Sequence, residues 1–419
     1  MDKRTFLSTL GVAALSTVVT DDLWARFSAL SPERLAEDEK FWNTLRGQYR
    51  LTSDYINLEN GYYSMQSQPV LEAFIRHVRE INVQASRYLR TRQYDDKAAV
   101  RARLAGLAGC SPDELIITRN TTESLDTVIA GFDWKPGDEA VMAEQDYGAM
   151  LDMFRLQARR YGIVNRVVSL PMNPRSDDEI VRLYESVITP KTRLLMVAQL
   201  VNITGQILPV AKLAAMAHRH AVQVMVDGAH AFAHLDFTIP SLGCDYYGAS
   251  LHKWLGAPLG AGILYVRRDL IKPLWPIYSD TTMADDDIRK LNHTGTHPVH
   301  TDLGINDAID YHLGIGVQRK EARLRFLQRY WTDKVRSTKN IIVNTPDDPA
   351  RSCGIANVGV AGMVPAELAK TLLEKYKIWT VAIDGAGVHG ARITPHLFIT
   401  TRELDQLVKA LQEIAAGRS

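Results

Sequence analysis

Apolar positions along this chain fall into two alternating rhythms. Short runs at 114–118, 140–143, 164–170, 194–199, 222–226 and 263–266 have the length and apolar content of buried strands. Between them, stretches such as 100–107, 147–160 and 210–220 read as helix, and a further helix opens at Thr121-Thr122-Glu123. Alternation of this kind predicts an α/β fold with a mostly parallel sheet covered by helices on both faces. Ahead of it, Leu23, Phe27, Leu30, Leu35, Phe41, Trp42 and Leu45 read as helix, interrupted near Ser31-Pro32, where a new helix begins. From about Asn306 the pattern changes. Residues 308–331 predict one long helix with its Arg and Lys side chains on the exposed face, and 341–343, 354–360, 365–376, 379–383, 391–398 and 401–415 then alternate like a small α+β domain closed by a helix. The predicted organisation is a candidate signal segment at 1–20, a helical lead-in at 21–52 packing with the small domain, a large domain at 53–306 and a small C-terminal domain at 307–419, with a cleft between the domains.

Composition adds exclusions. A chain of 419 residues, 46% hydrophobic and 23% charged, is too large for a single small binding module and has room for two or three domains. Lys+Arg 49 against Asp+Glu 48 lacks the basic excess of a nucleic-acid binder. Cys110, Cys244 and Cys353 are odd in number and outside any CxxC spacing, so neither a disulfide framework nor a zinc-thiolate site is expected. At the N-terminus, Asp2-Lys3-Arg4 precedes Phe6-Leu7 and a weakly apolar stretch at 10–19, too short to span a bilayer. The Lys-Arg-x-Phe-Leu order is similar to a twin-arginine export signal with lysine at the first position, and no A-x-A cleavage site follows. Export to the periplasm and a frayed helix on a cytoplasmic enzyme therefore both stay open.

Candidate chemistry lies at three places. Asp227 follows the run 222–226 directly, at the strand end where ligands sit in open α/β sheets. Lys253, in Tyr246-Tyr247-Gly248-Ala249-Ser250-Leu251-His252-Lys253-Trp254, sits among aromatic and small apolar residues, which strips hydration from its amine and favours the neutral, nucleophilic form. Arg119-Asn120-Thr121-Thr122-Glu123-Ser124 is a strand-to-helix turn whose free N–H groups and hydroxyls can bind a phosphate, or simply cap the helix from Thr121 or Thr122. An amine for an imine, an acid for a pyridine nitrogen and a helix start for a phosphate are together the three holds that pyridoxal phosphate requires.

In these residues the sequence resembles the class V aminotransferase family of fold-type I pyridoxal-phosphate enzymes, and within it the isopenicillin N epimerase-like group. The likeness runs from about Tyr55 to Ala415. Besides the motifs above, it rests on Asn57-Leu58-Glu59-Asn60-Gly61-Tyr62-Tyr63, Asp146-Tyr147, Val201-Asn202-Ile203-Thr204-Gly205, Asp227-Gly228-Ala229-His230, Gly295-Thr296 and Arg392-Ile393-Thr394-Pro395-His396. The resemblance implies that Lys253 holds the cofactor as a Schiff base and shuttles protons at the substrate Cα, and that Asp227 keeps the ring nitrogen protonated. It places Tyr147 on the ring face, Asn202 and His230 near the 3-hydroxyl, and Thr121, Thr122, Ser250 and His252 on the phosphate. Thr296 would reach the phosphate of a neighbouring subunit, which implies a homodimer with a shared active site. Arg392 would grip the substrate carboxylate, with Asn60 and one of Tyr62 and Tyr63 facing the substrate. The implied activity is epimerisation of an amino acid through a quinonoid, with transamination or C–S/β-elimination as alternatives on the same scaffold and a catalytically silent cofactor-binding sensor as the alternative of another class. A desulfurase is disfavoured, because residues 379–391, ahead of Arg392, hold no cysteine.

Other motifs are weaker. Gly385-Ala386-Gly387-Val388-His389-Gly390 is a literal GxGxxG, but Pro395 interrupts the helix a dinucleotide site needs. His293, His297 and His300 are separated by Gly295 and Pro298, which prevents helical presentation to a metal, so no metal site is expected. Ser250, His252 and Asp227 lack the G-x-S-x-G elbow of a hydrolase.

Overall fold

The computed structural model describes residues 30–278 and 282–417; the candidate signal segment at 1–20 and the start of the lead-in lie outside the described residues. In chain order the strands are β1 (Ile56–Asn57), β2 (Leu115–Thr118), β3 (Glu139–Ala143), β4 (Val164–Val168), β5 (Thr192–Ala198), β6 (Gln223–Asp227), β7 (Tyr246–Ser250), β8 (Gly262–Val266), β9 (Ile341–Val343), β10 (Ala356–Val360), β11 (Ile378–Trp379), β12 (Val381–Gly385) and β13 (Val388–Ile393). The large sheet runs β2-β8-β7-β6-β5-β3-β4, parallel except for β8, which is antiparallel to both neighbours. The C-terminal ends of β2, β3, β5, β6 and β7 therefore share one edge. Strand alternation divides the core between the two faces: Val141, Leu195, Val197, Val224, Val226 and Tyr247 join one buried cluster, whereas Ala140, Met142, Leu194, Met196, Met225 and Tyr246 join the other.

The small domain is an antiparallel sheet, β12-β13-β10-β9, flanked by the helices Pro365–Tyr376 and Thr401–Ala415. β1 pairs in parallel with β11, so the segment leading to the large domain is tied to the small one. The short helices Pro32–Ala36, capped by Ser31, and Glu39–Arg46 lie on the same side. Arg46 grips Glu403 through two nitrogens at 2.8 and 2.9 Å, and the fully buried Arg323 binds Glu39 and the carbonyls of Ala36 and Ile399.

Three expectations are corrected, and one central strand was not anticipated. The long helix at 308–331 is two helices, Val299–Ile315 and Val317–Val335, broken at Gly316, whose φ of 88° is left-handed and open to glycine. The exposed basic face is partly interior: Lys320 is 3% exposed and Arg323 is 0% exposed, both covered by packing from distant chain segments. Residues 246–250 form a central strand although rich in small residues; a Cβ on Gly248 would lie 2.7 Å from Leu125 Cδ2, so the glycine lets the helix Thr121–Gly131 settle against β7. That helix is capped one residue earlier than expected, by Asn120, whose Oδ1 accepts from the Glu123 N–H at 2.9 Å. The Gly385–Gly390 run is the turn and second strand of the β12–β13 hairpin, with no helix after it.

Candidate active site

Neighbouring strand ends assemble the candidate site. Asp227 ends β6 opposite Gly248 of β7, and Lys253 follows β7 by three residues. Burial raises the proton affinity of the Asp227 carboxyl, opposed by the Ala229 N–H donated to Oδ1 at 2.9 Å and by the charge of Lys253. Burial likewise pulls the Lys253 ammonium down to about 8; Asp227 and Glu59 oppose that shift and Arg392 adds to it. Near neutral pH about a tenth of this amine is already in its nucleophilic form, far more than for an ordinary surface lysine.

His230 completes this pair. Its Nε2 lies 3.1 Å from Lys253 Nζ, and Trp254 Nε1–H donates to its Nδ1 at 3.3 Å. Burial, then the charges of Lys253 and Arg392, hold its pKa well below the usual imidazole range, so the ring is neutral. An indole is a donor only, so Nδ1 must accept and the imidazole proton must sit on Nε2, facing the lysine. In that arrangement His230 donates to the lone pair of a neutral Lys253.

At the helix start freed by the Asn120 cap, Thr121 N–H donates to Ser250 Oγ at 2.9 Å and the two hydroxyls lie 2.7 Å apart. Thr122 occupies the same first turn, half-buried. His252 is held near a pKa of about 4, chiefly by burial, and its Nδ1 has no protein partner among the described residues. Hydroxyls, first-turn amides and an unengaged ring nitrogen suit a phosphate group. Asp146, ahead of Tyr147, is pushed up to about 7 by burial and, after that, by Asp227; its Oδ2 accepts the Ala143 N–H at 2.8 Å. Tyr147 begins the helix Gly148–Tyr161 and keeps 42% of its surface exposed, leaving its ring available for stacking.

The remaining candidates separate by environment. Asn60 is fully buried and engaged in the fold: its Nδ2 donates to the carbonyls of Thr394 and Asn57, and its Oδ1 accepts from Asn57 Nδ2. Tyr62 is 75% exposed, whereas Tyr63 is half-buried with its ring centroid 6.5 Å from that of His252, and Ser64 N–H donates to the His252 carbonyl. Asn202 presents its backbone carbonyl to Arg392 Nη1 at 3.3 Å. Arg392 is paired with Glu59 through two hydrogen bonds. Thr296 lies exposed on the loop before the helix Val299–Ile315, where a phosphate role needs a second subunit. His297 pairs with Asp302 at 3.0 Å. Two participants were not singled out by the sequence: Trp254, readable only as an aromatic after the lysine, and Glu59, whose partner lies 333 positions away.

The donor set fits pyridoxal phosphate: a lysine close to its neutral form, a buried carboxylate beside it, a neutral imidazole and a hydroxyl-lined helix start. The thiols do not compete as nucleophiles. Burial pushes Cys110 up to about 12 and raises Cys244 and Cys353 further.

Comparison with known proteins gives a consistent picture. The family described as Aminotransferase class-V matches residues 56–410. An isopenicillin N epimerase from Amycolatopsis lactamdurans is 30% identical over 334 residues, covering 75% of this chain and 84% of the relative. A cysteine desulfurase from Thermococcus onnurineus NA1, in its apo form, superposes with a TM-score of 0.78 at 20% identity, covering 89% of this chain and 97% of that one. A mutant of C-DES with glycine covalently linked to its PLP cofactor also gives a TM-score of 0.78, at 23% identity and 88% and 99% coverage.

Proposed function

This chain belongs to the class V aminotransferase family, and from that premise we propose that it is a pyridoxal-phosphate enzyme that moves a proton at the amine-bearing carbon of an amino acid, in the manner of an epimerase. The observation that carries the proposal is the contact of Lys253 Nζ with His230 Nε2 at 3.1 Å, with Asp227 as its leading charged neighbour. Bound at Lys253, pyridoxal phosphate supplies an electron sink that acidifies the hydrogen on the substrate carbon. Lys253 would hold the cofactor and would accept or return that proton at Nζ. Asp227 keeps a proton at the ring nitrogen, a role suited to a carboxylate whose own proton affinity is raised by burial. Thr121, Thr122, Ser250 and His252 would hold the phosphate, Tyr147 would cover the ring, and His230 and Asn202 would border the ring hydroxyl. Arg392 orients the substrate.

Epimerisation is the first reading because the relative that is 30% identical over 334 residues carries that name and the three thiols are poorly suited to accept sulfur. Transamination and C–S or β-elimination begin with the same proton abstraction. We propose a homodimer as well, supported by exposed apolar side chains including Val83, Tyr94, Leu259 and Trp275 and by the exposed position of Thr296. The deciding experiment incubates the holoenzyme with L-amino acids in deuterated water. Deuterated, racemised product is expected; a keto acid would replace the epimerase reading with a transaminase, and pyruvate with ammonia with a lyase. A visible band that borohydride removes tests the imine itself, and its absence after cofactor addition would leave a silent binding protein or an empty scaffold.

A further inference from the structure

Arg392 is already paired. Its Nε and Nη2 donate to the two carboxylate oxygens of Glu59 at 3.1 and 2.7 Å, a side-on fork in which the side chains are only 8% and 7% exposed. Glu59 is itself fixed. Its Oε1 also accepts from the backbone N–H groups of Gly61 and Tyr62 at 3.1 and 2.9 Å, so swinging away forfeits several charge-assisted hydrogen bonds. Gly61 sits tight against the pair, since a Cβ there would lie 3.3 Å from Arg392 Cζ. An incoming carboxylate therefore meets a guanidinium whose side edge is taken and whose Nη1 already donates to the Asn202 carbonyl. What remains for a ligand is one N–H on each of the two terminal nitrogens.

The charge balance matters more than the donor count. A lone guanidinium in a partly buried cleft strongly favours an anion, whereas a guanidinium–carboxylate pair has no net charge and offers only directed N–H groups. We infer that Glu59 is a specificity-determining residue that turns the anchoring subsite of Arg392 from an anion site into a neutral donor site. The site then takes amines whose neighbouring carbonyl is uncharged, such as amino-acid amides or esters, as readily as free amino acids. This rests on the amine chemistry proposed for Lys253 and refines which amines it serves.

The test titrates wild-type holoenzyme with one L-amino acid and its primary amide, following the visible band and comparing dissociation constants per neutral amine. The two constants are expected to agree within about threefold in the wild type. Glu59→Gln, which keeps an acceptor for Gly61 and Tyr62, is expected to favour the acid by about 10- to 100-fold, the consequence of freeing a buried positive charge. A wild type that already prefers the acid by more than about tenfold overturns the inference without any variant, and so does an unchanged ratio in Glu59→Gln. A wild type with no borohydride-sensitive band overturns the proposed function and the inference with it; a normal band with the wrong ratio overturns the inference alone.

Discussion

Two lysines adjoin Trp254, the half-buried Lys253 as its chain neighbour and the buried Lys320 as a donor to its carbonyl, and their surroundings differ in kind. Lys253, half-buried, lies near Asp227, Glu59 and a neutral His230. Lys320 lies in the interior, 3% exposed, and donates to the Trp254 carbonyl. Around it are Tyr49, Ser67, Tyr311, His312 and His396, and the histidines are pushed far below their usual range by burial. Burial alone drives Lys320 to about 7, further than Lys253 at about 8. The lysine with the larger shift is thus not the one placed for chemistry. A depressed pKa reports desolvation; access and a partnered acid distinguish a nucleophile from a strut.

The sharpest break of this comparison exchanges the two amines. Lys253→Ala is expected to abolish the borohydride-sensitive band and to lower turnover by at least about 1000-fold, because both cofactor linkage and proton transfer are lost. Lys320→Met is expected to keep the band. If instead Lys320→Met loses it and Lys253→Ala retains it under the same spectroscopic assay, the functional assignment of the two regions is reversed.

Asp227→Ala comes next. Removing the carboxylate leaves the amine and the phosphate contacts in place, so some cofactor should bind while turnover falls by about 100-fold or more. Near-normal steady-state turnover in this variant would exclude its role at the ring nitrogen. The corresponding change at Lys320 affects stability. Lys320 has a folded pKa depressed from 10.5 to about 7, so the folded state binds fewer protons than the unfolded state between those values. The penalty of burying its charge is full below about pH 7 and fades as pH rises through the unfolded value. Lys320→Met should therefore be more stable than wild type by about 1–3 kcal/mol near pH 6, with the gain shrinking toward pH 10. Urea midpoints at both pH values check the sign.

The two regions were also unequally legible in sequence. Asp227 and Lys253 could be found because an acid at a strand end and a lysine among small and aromatic residues are local signals, and the α/β alternation placed them at one sheet edge. Lys320 could not be found this way. In Val317-Gln318-Arg319-Lys320-Glu321 it reads as part of a solvated face, and it becomes interior only because distant segments, among them Trp254 and His396, pack over it. The break at Gly316 was hidden because helical periodicity continues across it, and β7 because Gly248, Ala249 and Ser250 lack the branched side chains that announce a strand. The Glu59–Arg392 pair was invisible for a similar reason: both residues stood in recognisable segments, but only folding joins them. Short-range patterns thus located the chemistry, and the contacts that tune it are long-range.

Trp254 belongs to both regions, so the smallest expected effect is the most discriminating. Its carbonyl receives Lys320 and its indole N–H fixes the proton of His230 on Nε2. With Nε2 protonated, His230 can donate to a neutral Lys253 but cannot accept from an ammonium. The indole therefore favours the neutral amine without touching it. Trp254→Phe keeps the carbonyl and most of the ring but removes the N–H, and His230 becomes free to move its proton to Nδ1 and accept from protonated Lys253. Cofactor capture by the apoprotein should rise with pH through about 8 in the wild type, following the neutral amine. In Trp254→Phe that midpoint should move upward by about half a unit to one unit, the equivalent of one modest hydrogen bond. A purely structural role for the indole predicts slower or weaker capture at every pH with an unmoved midpoint, and a downward shift would contradict the tautomer argument outright.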